Sequence, residues 1–190
     1  MNKAITIGLI GLLLFLGIQH GKQDKGLDEQ VVDYLNFSGT ITEVREGSVL
    51  VQDKTKEDNS MVLNLSEEVL LLDDATKNVV EMDSFEVGQG ITAYYPKNAP
   101  MALSMPPIMT PDVIVVNSRE DVGFVHVATF DETLTSSDGQ LKIILGSGMT
   151  LVDRYGQSVT TLANKTLVVF YTASTRSVPA QTTPQKIIVL

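Results

Sequence analysis

Residues 104–111 read Ser-Met-Pro-Pro-Ile-Met-Thr-Pro and residues 177–184 read Ser-Val-Pro-Ala-Gln-Thr-Thr-Pro, identical at four of eight positions. Upstream, further blocks agree in the same order: Ile91–Tyr95 with Leu167–Tyr171, and Val69–Asp73 with Met149–Asp153. Each of the last two is followed by a polar turn and a valine, Val79 or Val159, and the openings Gly39–Val44 and Gly123–Ala128 align as well. Ordered blocks at nearly constant spacing mark an internal duplication, so the chain must fold as two copies of one unit. The copies are placed at 37–117 and 121–190.

Within each copy the pattern is that of strands. Ile41, Val44, Val49 and Val51 are spaced as in a hairpin around Arg45-Glu46-Gly47, Met61, Leu63 and Leu65 alternate with polar residues, and Asp138-Gly139 is a turn dipeptide. The expected fold is all-β: two tandem OB-like small β-barrels after an N-terminal hydrophobic helix. A unit of this size alone buries only about 60% of its extended-chain surface, so packing of the two copies against each other is expected. Residues 37–120 carry 6 basic and 14 acidic groups, whereas 121–190 carry 5 of each. Copy one is therefore expected to present the solvated face and copy two to dock.

Ala4–Ile18 is apolar and uncharged, preceded by Lys3 and followed by Gln19, His20 and Lys22. Fifteen helical residues reach roughly 22 Å, short of a hydrocarbon core of about 30 Å and suited to the h-region of an export signal. The exit Leu16-Gly17-Ile18-Gln19-His20-Gly21 offers no good A-x-A-type cleavage site and no lipobox cysteine. Residues 1–21 thus read as a signal anchor that meets the membrane through 4–18, the alternative being a cleaved signal and a secreted body. Residues 22–36 read as a linker with a short amphipathic helix, because Leu27, Val31, Tyr34 and Leu35 fall at i, i+4, i+7 and i+8.

The succession Gly39-Thr-Ile-Thr-Glu-Val44, a hairpin, Asp73-Asp74 with its turn, and Phe85-Glu-Val-Gly-Gln-Gly-Ile-Thr-Ala-Tyr-Tyr95 resembles small exported OB-like barrel modules of Gram-positive bacteria. Such modules occur beside stalk-type and copper-amine-oxidase-N-terminal-type surface domains. Tyr94-Tyr95 with Met101–Pro107, and Thr175–Pro184 in the second copy, resemble their most recognisable segments. The resemblance covers roughly 37–190; it implies a kind of module and no catalytic residue.

Composition removes several function classes. A net charge of −9 and only 11 aromatics argue against nucleic acid, which requires a basic groove with stacking rings. With no cysteine and two histidines, His20 and His126, thiol chemistry, Cys-ligated zinc and a multi-histidine site are excluded within one chain. Neither a nucleophile elbow nor a P-loop is present, and the pairs Glu67-Glu68 and Asp73-Asp74 form no calcium loop. No cofactor is expected.

Two constellations remain. Met101, Met105 and Met109 are soft thioethers four apart, a pattern compatible with Cu(I), although Pro106, Pro107 and Pro111 forbid the helix that would align them. The same stretch reads as a rigid loop, because prolines lower the entropy lost on binding. The candidate binding residues are Tyr95, Ser104, Pro106 and Pro107 in copy one and Arg176, Ser177 and Pro179 in copy two. The expected function is non-enzymatic: a membrane-tethered, extracytoplasmic module that meets a protein or cell-envelope component. Alternatives are a protease inhibitor or propeptide-like protein using the 96–111 loop, and methionine-based copper binding.

Overall fold

The structure, a computed structural model, describes residues 31–56, 58–119 and 122–190. The hydrophobic segment 4–18 and most of the 22–36 linker lie outside these residues. The described chain is all-β. Copy one contains β1 (Tyr34–Arg45), β2 (Ser48–Asp53), β3 (Ser60–Asn64), β4 (Leu70–Asp73), β5 (Gly90–Pro96), β6 (Met101–Ala102), β7 (Ile108–Met109) and β8 (Val113–Asn117). Copy two contains β9 (Phe124–Phe130), β10 (Leu141–Ile143), β11 (Thr150–Asp153), β12 (Lys165–Tyr171), β13 (Ala180–Thr182) and β14 (Lys186–Val189).

The ladders repeat the duplication strand for strand. In copy one β4 runs parallel to β8, β8 pairs antiparallel with β5, β5 with β1, and β3 runs parallel to β7. Copy two makes the same four pairings with β11, β14, β12, β9, β10 and β13. Tyr94 lies opposite Val113 as Phe170 lies opposite Lys186, and Asp73 lies opposite Val116 as Asp153 lies opposite Val189. The structural register therefore equals the sequence alignment of these blocks. Pro111 and Pro184, both buried, separate β7 from β8 and β13 from β14, where the missing N–H interrupts a ladder.

Several expectations need correction. The six-residue β2 shrinks in copy two to isolated bridges, Phe130 to Ser136 and Thr135 to Lys142. Copy one is thus one eight-stranded sheet, whereas copy two splits into a four-stranded and a two-stranded sheet. Both copies mix parallel with antiparallel pairing: four ladders are parallel, β3–β7, β4–β8, β10–β13 and β11–β14, a mixture also found in β-solenoids. The stripe Leu27, Val31, Tyr34, Leu35 is not helical at its C-terminal end, because β1 begins at Tyr34 and puts Tyr34 and Leu35 on opposite faces. The opening blocks are also out of register: Gly39 lies opposite Ile91 and Ala128 opposite Leu167, so Gly39 corresponds to Ala128, not Gly123.

Three apolar clusters explain why strand runs such as Val113–Val116 are buried on both faces. Ile41, Val49, Leu63, Leu71, Ile91 and Ile114 fill the core of copy one, and Phe130, Leu141, Leu167, Val169 and Ile187 that of copy two. Between them lies a seam in which Leu70, Leu72, Tyr94, Val113 and Val115 meet Val127, Val168, Phe170 and Ile188. Polar ties flank it. The Lys186 ammonium donates to the Lys77 carbonyl at 2.5 Å, the Arg154 guanidinium to the Glu68 carbonyl at 2.5 Å, and the Tyr94 hydroxyl to the Val125 carbonyl at 3.2 Å. Ahead of β1, the Val32 amide donates to Thr129 Oγ1 at 3.2 Å, so the entering chain touches both copies.

Candidate functional site

The proline-rich loops are built alike. The Ser104 hydroxyl donates to the Pro106 carbonyl at 2.7 Å, and the Ser177 hydroxyl to the Pro179 carbonyl at 2.7 Å. The Met105–Pro106 and Val178–Pro179 peptide bonds are both cis. In copy two Thr175 adds a hydroxyl contact to Ser177 at 2.7 Å and accepts from the Gln181 amide at 2.8 Å. Each loop is thus closed by its own side chains, and its central apolar residue points away: Met105 is 98% exposed and Val178 93%. Leu103, in the place held by the exposed Arg176, is 97% exposed. Two large apolar groups with almost no intramolecular contact form the tip of the first loop. Pro107 is half-buried at its base.

Tyr95 and Tyr171 are the structural anchors of these loops, not their tips. Tyr95 packs on the core of copy one, Tyr171 on that of copy two, and burial raises the pKa of both phenols. Tyr171 also stacks on Phe124 with ring centroids 5.3 Å apart. Two of the three methionines are cross-strand neighbours and the third stands apart. Met109 is 2% exposed within the core of copy one, Met105 stands in solvent, and Met101 lies opposite Met109 on the short β6–β7 ladder. Met109 corresponds to Thr182, so its thioether fills a core position that copy two closes with a buried hydroxyl. Among the described residues there is also no cluster of His, Asp and Glu fit to hold a metal ion.

What the alternating pattern did not announce is a pair of clefts along the seam. One, of about 340 Å³, is lined by Tyr34, Asn36, Tyr94, His126, Asp138 and Gln140 among others. The other, of about 240 Å³, shares Tyr94 and Val125 and adds Phe124, Tyr171, Asp74 and Asn117. In the first, the Tyr34 hydroxyl donates to Asp112 Oδ2 at 2.5 Å, and burial with that carboxylate beside it raises its pKa far above the ordinary phenol value. His126 Nε2 is buried and lies 3.3 Å from Asp138 Oδ2, yet it has no hydrogen-bond partner because the alignment is poor. Burial lowers the imidazole pKa more than Asp138 raises it, which favours the neutral ring at pH 7. Asp138 is held from its other oxygen: Oδ1 accepts from the Ser136 hydroxyl at 2.6 Å and the Gln140 amide at 3.0 Å. The legible signal for this site is His126 itself, in the alternating stretch Phe124-Val125-His126-Val127; its neighbours come from loops and from the other copy.

Compared with known proteins, the chain matches no family model, no curated sequence and no solved structure.

Proposed function

We propose that this chain is a non-enzymatic, extracytoplasmic interaction module, tethered to the membrane through residues 4–18. Each copy is read as an OB-like barrel. In copy one the strands β1–β2–β3 continue into the run 108–117, whose second half pairs with β5, which returns to β1. That is the strand order of a five-stranded Greek-key barrel with β4 added alongside β8. The observation that carries the function is the pair of closed loops whose tips stand almost fully in solvent. A loop that keeps its shape without a partner and exposes Leu103 and Met105 is prepared for contact, because little conformational freedom is lost on binding. The partner is a protein or another component of the cell envelope, and the acidic surface of copy one favours a neutral or basic one.

A photo-crosslinking side chain placed at Met105 or Val178 of the full chain in its own membrane tests this. The expected result is a discrete adduct from these positions and none from Val87, which is 65% exposed but lies outside both loops. Equal labelling from all three overturns the reading.

A further inference from the structure

From the seam cleft around His126 we infer a second binding site, which takes a neutral, hydroxyl-rich ring, that is, a saccharide unit. The argument begins with the unpartnered nitrogen. Asp138 Oδ2 is an acceptor, so the tautomer of a neutral imidazole that suits it carries the proton on Nε2. Their alignment leaves Nε2 without a partner, and both residues line one cavity of about 340 Å³. The group that completes both must accept from Nε2–H and donate to Oδ2. A hydroxyl does both, as water does before a ligand displaces it; an ammonium cannot accept, and a carboxylate or a fully ionised phosphate has no proton to donate. An anion is further disfavoured by Asp138 itself.

The remaining wall fits the same chemistry. Asn36 and Gln140 bring carboxamides, each with a donor and an acceptor, which match neighbouring hydroxyls. Tyr34, partly buried on the cleft wall, has its hydroxyl engaged to Asp112, so it brings apolar ring surface suited to the C–H face of a sugar. The cleft exists only because the copies differ. Copy one has Phe37 at the position of His126, and its β2 fills the neighbouring space with a strand where copy two has the turn Ser136–Gln140. This site is separate from the proline loops, so loss of loop contacts leaves it standing.

The test uses the full chain in a sugar-free detergent, with His20→Ala leaving one histidine, and follows the His126 imidazole by NMR. The probes are the neutral tetramers of N-acetylglucosamine and of glucose, with zinc chloride and inorganic phosphate as contrasting arms. A saturable shift of His126 with a tetramer is expected, weakened about tenfold or more by Asp138→Asn. That change keeps a carboxamide oxygen for the Ser136 and Gln140 contacts while replacing the second acceptor. Asn36→Ala, at the exposed rim, is expected to weaken the same titration without altering the fold. No shift with either tetramer at millimolar concentration in the folded chain, a shift with zinc or phosphate alone, or indifference to both substitutions overturns the inference.

Discussion

Val115 and Ile188 hold the same position in the two copies: Val115 lies opposite Leu72 and Thr92, and Ile188 opposite Val152 and Val168. Both are buried in the seam. Each copy therefore buries the same outer face against the other, and neither has that face covered on its own. Phe170 occupies the seam in copy two and is fully buried. Phe170→Ala is expected to cost about 3–5 kcal/mol, and urea unfolding is expected to remain one transition because the seam couples the copies. Two separated transitions in the wild-type chain would show instead that the copies fold independently.

Gly39 has no room for a side chain. A Cβ built there meets the Gln52 carbonyl oxygen at 2.3 Å and Val51 Cγ1 at 2.6 Å. Ala128 at the corresponding place is tolerated because copy two has lost the strand that crosses this point. Gly39→Ala is expected to destabilise by about 1–3 kcal/mol through overpacking against backbone, read as a lower urea midpoint. Ala128→Gly is expected to cost about 1 kcal/mol by a different route, a lost buried methyl and added chain freedom.

The alignment of the two openings fails for a related reason. Gly39 and Gly123 are both glycines, but one meets a close strand and the other has φ +114 beside the Tyr171 carbonyl, 2.4 Å from a built Cβ. One letter serves two unrelated constraints, so identity alone misled. Around the prolines the letters were reliable, because Pro111 and Pro184 each mark a ladder interruption that both copies must make at the same place. The valine pairing was off by one: Val80, not Val79, corresponds to Val159, since their amides donate to Leu71 and Leu151 respectively. Val79 is exposed, and period-two reasoning cannot choose between adjacent valines. The His126 cleft was out of reach, for it depends on which outer faces of the copies meet. The run Val113–Val116 is covered on one face by the core of copy one and on the other by the seam, and its letters do not name the second cover.

Burial keeps the His126 imidazole below its ordinary value, about 6.5 in the unfolded chain. The native state then binds fewer protons than the unfolded state as the solution is acidified. Its contribution is fully present above pH about 6.5 and is lost as pH falls through the lower folded value. Between pH 7.5 and 5.5 the melting temperature is expected to decline, and His126→Gln is expected to flatten that decline. The carboxylates held low, such as Asp131 by its turn hydrogen bonds, act only at more acidic pH. A profile identical in both chains would remove His126 from the acid response.

Deletion of residues 1–21 bears on the tether and leaves every described strand intact. The shortened chain is expected to move from the membrane fraction to the soluble one and to keep its β-type circular dichroism. A full-length chain recovered in the cytosol after gentle lysis would refute the anchor.

The last strand closes copy two from both sides. Ile187, Ile188 and Val189 pair with Leu151, Val152 and Asp153 in one direction and with Val169, Val168 and Leu167 in the other. Leu190 still donates its amide to the Thr166 carbonyl at 3.0 Å. Ile187 and Val189 fill the core of copy two, and Ile188 reaches the seam. Ending the chain at Pro184 therefore strips two ladders and part of two apolar clusters at once. A terminal segment can fray only when so little holds it, and here the backbone hydrogen bonds of β11 and β12 would be exposed with it. The truncated chain is expected to lose amide protection throughout 124–184, with copy one weakened at the seam but retaining the β1–β2–β3 ladder. Protection preserved in β9 and β12 after this truncation would mean that copy two is held by its seam rather than by its own sheet.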